Sequence, residues 1–250
     1  MTLNRILSII GVAAATLGLA RTMLERPRGH RHPLVDLIRD RFNAIEPRFV
    51  GFGILAGVTA IVLPLGLALR QGWARCESVR PIPATFPVLA LLTVGIKFAW
   101  ASLEEVMFRG GLFPQLARRV GVWAGLAITA VLFSLSHLER TGSRAPDLMT
   151  LAVMTLDGAG FALAYLATRS LWLPSIWHAT KNIMIWLLYS ESSLQLTTGV
   201  ARVTFSGPRL WVGSASQAGI FDLIANAVLI GLVLARFRRP LLDDLDWVKT

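Results

Sequence analysis

Long apolar runs alternate with polar and charged stretches along this chain, and seven such runs can be marked. They are roughly Ile6–Ala20, Gly51–Leu69, Phe86–Leu103 (extendable to Phe113), Val120–Leu138, Leu148–Thr168, Leu171–Tyr189 and Gly219–Phe237. Most approach the roughly 20 residues that an α-helix needs to cross the hydrocarbon of a bilayer, and the first is short. Only helices and closed barrels satisfy their backbone polar groups inside lipid. The pattern therefore predicts an all-α, polytopic transmembrane helical bundle of about seven spans. Between the first two runs, "HPLVDLIRDRF" sets Leu34, Val35, Leu37, Ile38 and Phe42 among charges, which predicts a helix lying on the membrane surface. The polar stretch Glu191–Gly219 contains "TTGVARVTFSG", whose alternation predicts irregular structure or a small hairpin. Three regions follow: membrane helices and a basic loop over 1–85, a helical core over 86–190, and a polar loop, last helix and tail over 191–250.

Composition supports the same class. Hydrophobic residues are 54% of the 250 and charged residues 16%, against about 25% charged in soluble domains. Mean hydropathy is +0.58. The net charge of +10 would suggest nucleic acid in a soluble protein. Here no basic stripe is interleaved with exposed aromatics, so no nucleic-acid partner is expected. The arginines fit topology and lipid head groups instead. If Arg21–Arg48 is cytoplasmic and the sides alternate, 15 Lys/Arg fall inside and 8 outside, with Lys97 and Lys181 within helices. That bias obeys the positive-inside rule and expects an outside N-terminus and a cytoplasmic C-terminus. The opening stretch resembles a signal peptide in charge and length, but Arg21 interrupts the place for a cleavage site, so it reads as a short first membrane helix. Cys76, the only cysteine, sits in "RCESVR", which reads as loop. One thiol forms neither an intrachain disulfide nor a cysteine-based metal site.

Ionisable residues inside spans are functional hypotheses by default. They are Lys97, Glu104, Glu105, Arg109, His137, Asp157, His178, Lys181 and Asp222. Glu105 and Arg109 are four apart, with the acid N-terminal to the base, the favourable order for a helical ion pair. Glu104 stands about 100° around the helix. The two carboxylates thus differ: one held by Arg109, the other left to titrate as a general base. A wet helix end explains the same charges equally well. His137 closes an apolar helix with Phe133 one turn earlier, a place where a structural histidine is common. His178 and Asn182 share one helical face. An imidazole and a carboxamide there can bind an oxyanion, or supply helix–helix hydrogen bonds. Taken together, a carboxylate, two imidazoles and an amide on three apolar helices suffice to activate water and stabilise a tetrahedral intermediate.

"EEVMFR", "FSLSH" and "HATKN" read as Glu-Glu-x-x-x-Arg, Phe-x-x-x-His and His-x-x-x-Asn. In that order, over about Leu92 to Tyr189, the chain resembles the CPBP intramembrane endopeptidases. This family includes CaaX prenyl endopeptidases and bacteriocin-processing or self-immunity proteins. The resemblance implies that Glu104 activates the attacking water and that Glu105 and Arg109 support it. His137 would orient the water, or bind metal in the metalloprotease description of the family. His178 and Asn182 would stabilise the oxyanion. No His-Glu-x-x-His zinc motif is present, and a metal-free glutamate mechanism without cofactor is expected; zinc held by Glu104, His137 and His178 is the alternative. The expected partners are a membrane-anchored or lipidated peptide and the bilayer of the cell membrane. Two rival readings are a non-catalytic scaffold or immunity factor, and a transporter using Glu104, Asp157, Lys97 and Lys181. A transporter predicts repeat symmetry, and none is visible.

Overall fold

The computed structural model describes residues 10, 13–18, 21, 33–42, 45–78, 82, 84–137, 148–189, 196–214 and 217–237. Of the first apolar run, residues 13–18 are helical and the remainder lies almost wholly outside the described residues, as does the tail beyond Phe237. The other six runs are all helices: α2 Pro47–Arg70, α3 Phe86–Glu105, α5 Val122–Ser136, α6 Leu148–Thr168, α7 Trp172–Tyr189 and α9 Ile220–Arg236. The surface segment of the basic loop forms α1, Pro33–Arg41. A four-residue α8, Arg209–Val212, leads into α9. Pro47 opens α2 where its fixed φ suits the first turn and its missing N–H has no intrahelical partner to lose.

Among the described residues, three helices are long and apolar enough to cross a membrane: α2, the continuous helix Phe86–Val120, and α6. Their outward faces agree. On α3, Val88, Leu91, Leu92, Ile96, Trp100 and Leu103 are exposed in one stripe. On α2, Ile54, Leu55, Val62 and Leu69 are exposed. Apolar faces of that length are untenable in water and suit hydrocarbon. The protein is an all-α membrane bundle. Inside it α2 packs on α7 and α9, α6 on α5 and α9, and α3 on α7. Phe161, Tyr165, Leu166, Leu173 and Trp177 fill the centre, each at most 1% exposed.

The helix through "EEVMFR" runs further than its hydropathy marks. After Glu105 the backbone widens into a π-helix, Val106–Leu112, and then continues as α4, Phe113–Val120. The N–H of Phe113 bonds the carbonyl of Phe108, a five-residue step. Pro114 follows. It has no N–H for the carbonyl of Gly110, so the four-residue ladder cannot pass through it unbroken. π turns of this kind recur at functional sites. Gly121, at φ +87, ends α4 in a conformation that L side chains rarely adopt and turns the chain directly into α5. With 15 residues, α5 is only about 22 Å long. His137 caps it, well short of the far end of a full span.

Two local expectations are corrected. Residues around Cys76 are not loop but strand β1, Ala74–Ser78. "TTGVARVTFSG" does not fold back as a hairpin: its strand β2, Ala201–Phe205, pairs antiparallel with β1, from Ala74 opposite Phe205 to Ser78 opposite Ala201. Alternation marks a strand and one buried face, here Ala201 and Val203, but carries no information about a partner more than 120 positions away.

Candidate active site

Four elements supply the site: the junction of α3 with the π-helix, the C-terminus of α5, the middle of α6, and α7. Glu104 and Glu105 are the last residues of α3, and Arg109 sits in the π turn. All three are buried, Glu105 and Arg109 completely. One guanidinium nitrogen, Nη1, donates to Glu105 Oε1 at 3.1 Å and lies 3.1 Å from Oε2. Nη2 donates to the carbonyl of Gly158 on α6 at 2.7 Å. The guanidinium also lies over the Phe133 ring, 4.6 Å from its centroid, with Phe161 at 5.4 Å. Those aromatic faces replace water for a charge that has none. Gly158 favours this contact: a Cβ on it would meet the Ala130 backbone of α5 at 3.0 Å, a tight approach that would push α6 away from α5 by a few tenths of an ångström.

The two imidazoles converge on Glu104. His137 Nε2 is 3.3 Å and His178 Nε2 3.6 Å from the same oxygen, Oε2. Each ring is fixed from behind through Nδ1. That of His137 is 2.9 Å from the carbonyl of Phe133 and 3.0 Å from the Ser136 hydroxyl. That of His178 is 2.9 Å from Glu105 Oε1. A carbonyl and a carboxylate can only accept, so both Nδ1 atoms carry the proton. In the neutral rings both Nε2 lone pairs then face Glu104. Phe161 stacks on His178 at 4.9 Å and Phe133 packs beside both imidazoles. The short α5 explains how His137 reaches His178, which full straight spans would have kept apart.

The pairing expected from spacing is present: Arg109 reaches Glu105, and Glu104 is turned toward the histidines. The separation of roles is less clean than spacing suggests, because His178 touches both glutamates. Glu104 also has a local partner that the spacing argument missed. The indole N–H of Trp100 donates to its Oε1 at 2.5 Å. The signal was legible, since Trp100 precedes Glu104 by four residues. Asn182 lies one turn beyond His178 on α7, half-buried, and its carboxamide has no hydrogen-bond partner among the described residues. Three of the other intramembrane charges tie or cap helices. Lys181 donates to Asp157 at 2.5 Å, tying α7 to α6. Asp222 accepts the N–H of Gly219 at 2.8 Å and caps α9.

Three acceptor atoms facing one point need a donor or a cation between them. Glu104, His137 and His178 each offer one ligand atom, all within 4.8 Å of one another. Both imidazoles have their second nitrogen hydrogen-bonded, the outer-shell arrangement usual for metal-ligating histidine. The residues therefore fit a zinc ion with an open fourth position. They equally fit a water that donates one proton to Glu104 and one to an imidazole.

Comparison with known proteins adds to this geometry. Residues 82–184 match the family described as type II CAAX prenyl endopeptidase Rce1-like. A Bacillus subtilis (strain 168) protein named "Putative membrane peptidase YdiL" is 23% identical over 139 residues, 56% of this chain and 51% of the relative. The chain thus spans about half the length of that relative. No solved structure matches. All six candidate residues fall inside the matched segment, so the part of the chain that carries the site is the part similar to the type II CAAX prenyl endopeptidases.

Proposed function

We propose that the protein is a multi-pass intramembrane endopeptidase of the cell membrane. It hydrolyses a peptide bond in a membrane-anchored, lipidated or apolar peptide, with water activated by Glu104. The observation that carries this reading is the position of Glu104 Oε2 between two imidazole nitrogens inside an apolar bundle. The relatives, a CAAX prenyl endopeptidase family and a named membrane peptidase, point the same way.

In this reading the water sits among Glu104 Oε2 and the two Nε2 atoms. Glu104 takes one proton as the water oxygen attacks the carbonyl carbon. His137, locked with Nδ1 toward Phe133, presents Nε2 to the other proton and so aims the oxygen. The carboxamide of Asn182 donates to the developing oxyanion. His178, its Nδ1–H held by Glu105, sets its Nε2 edge beside Glu104 Oε2 and lines the oxyanion side of the site with Asn182. Arg109 holds Glu105 in place behind His178. The proton on Glu104 then passes to the leaving amine, which completes the cleavage. General-base catalysis of this kind contributes about 10²–10⁴-fold.

A second reading has its own observation, the fit of Glu104, His137 and His178 to a metal. An ion held there would supply Lewis-acid polarisation of the water or the carbonyl.

The test is cleavage of a fluorogenic farnesylated CaaX peptide and of unlipidated apolar peptides by the full chain in liposomes. Glu104→Gln keeps shape and removes the base, and should lower kcat at least about 10²-fold. Wild-type cleavage by Glu104→Gln would remove this residue from the reaction.

A further inference from the structure

The two oxygens of Glu104 have different neighbours. Oε2 faces His137 and His178. Oε1 accepts the indole N–H of Trp100, one turn earlier on α3, at 2.5 Å. Trp100 belongs to the outward apolar stripe with Leu92, Ile96 and Leu103 and is 39% exposed, while Glu104 is 7% exposed. The indole thus stands between the carboxylate and the apolar surroundings. The Glu-Glu-x-x-x-Arg pattern begins after it and assigns it nothing.

The last torsion of a glutamate is broad and roughly two-fold, so its oxygens exchange freely unless one is pinned. We propose that Trp100 is a positioning residue: its indole N–H clamps Oε1 and leaves Oε2 as the oxygen that takes the proton. The inference rests on Glu104 being the base. An indole N–H is a donor only and cannot accept a proton. When the water is split, its proton therefore goes to Oε2, its electron pair forms the new bond to the carbonyl carbon, and Trp100 keeps its hydrogen. Holding the carboxylate plane also keeps Oε2 beside the two Nε2 atoms, an alignment that rotation about the last torsion would lose. A donor on a carboxylate stabilises the anion and weakens it as a base. The geometric gain outweighs that loss, which sets the sign of the prediction below.

Two measurements on the full-length protein test the clamp. The first needs no activity. In nanodiscs, ¹⁵N-labelling the tryptophans gives eight indole N–H signals, and Trp100→Phe identifies one. A hydrogen bond to a carboxylate moves that proton downfield; Glu104→Ala should bring it back upfield and leave the other seven in place. An unmoved Trp100 signal overturns the proposal. The second is kinetic, on the farnesylated peptide. Trp100→Phe should lower kcat about tenfold, the scale of one hydrogen bond to a charged group, with KM within about twofold. Replacing Trp100 by β-(3-benzothienyl)alanine removes only the N–H and should do the same, which separates the donor from packing if Trp100→Phe misfolds. In a Glu104→Gln background Trp100→Phe should cost nothing further. Loss of KM instead of kcat, or an additive loss in the double variant, overturns the proposal. Protein that cuts no peptide but shows the Glu104-dependent indole signal supports the clamp and refutes the peptidase reading.

Discussion

Replacing Arg109 by alanine should damage the fold more than any change to the chemistry at Glu104. Arg109 is fully buried and does three things at once. It neutralises Glu105, which has no exposure of its own, through a nitrogen 3.1 Å from both oxygens. It closes the Gly158 carbonyl at 2.7 Å. It fills the space over Phe133. Alanine removes the countercharge and leaves Glu105 with only the Nδ1–H of His178. Stranding one member of a buried pair costs about 3–5 kcal/mol. For a chain of this length that is a fall of roughly 6–20 °C in Tm, at about 2–4 °C per kcal/mol. The assay is thermal unfolding of detergent-solubilised protein, with Glu104→Gln as the reference. The double variant Arg109→Met with Glu105→Gln removes both charges and should recover a large part of the loss, since neutral groups of similar size cost far less to bury. Arg109→Ala as stable as wild type, or a double variant less stable than the single, would refute the claim that the buried charge pair dominates here.

Glu104→Gln should leave Tm within about 1 °C of wild type, because an amide keeps both contacts of the carboxylate; a large drop would recast Glu104 as structural. Exhaustive chelation should leave peptide cleavage intact under the glutamate mechanism, whereas activity lost and then restored by added zinc would make Glu104, His137 and His178 ligands. Asp157→Asn strands Lys181 and should cost stability by up to about 3 kcal/mol, less than at Arg109 because the pair is 14% and 9% exposed, without lowering kcat; loss of kcat at unchanged stability would place the pair in the reaction. Cys76, exposed on β1, should react with a membrane-impermeant maleimide on intact cells, since the charge bias sets that segment outside; labelling only after lysis would invert the topology.

The helices were legible because they are local. A run of apolar residues near 20 long can satisfy its backbone in lipid in only one way; five of the seven runs are helices within a few residues of their hydropathic limits, and a sixth begins where hydropathy marks it and runs on to Val120. The Glu105–Arg109 pair was legible for the same reason, as a four-residue step on one helix. Trp100 was equally local and could have been read from its four-residue spacing to Glu104. Tertiary structure decided the rest. That His137 meets His178 depends on where α5 stops and on Gly121 turning the chain into it, and hydropathy does not count depth. The orientation of each imidazole depends on acceptors delivered from elsewhere, the Phe133 carbonyl by the last turn of α5 and Glu105 from 73 residues away. The partner of β2 was hidden because alternation specifies a face and not a neighbour. Spacing along one helix fixes which side chains share a side. Which helices then bring those sides together is set by packing, through contacts such as Gly158 against Ala130 that leave no periodic trace in the chain.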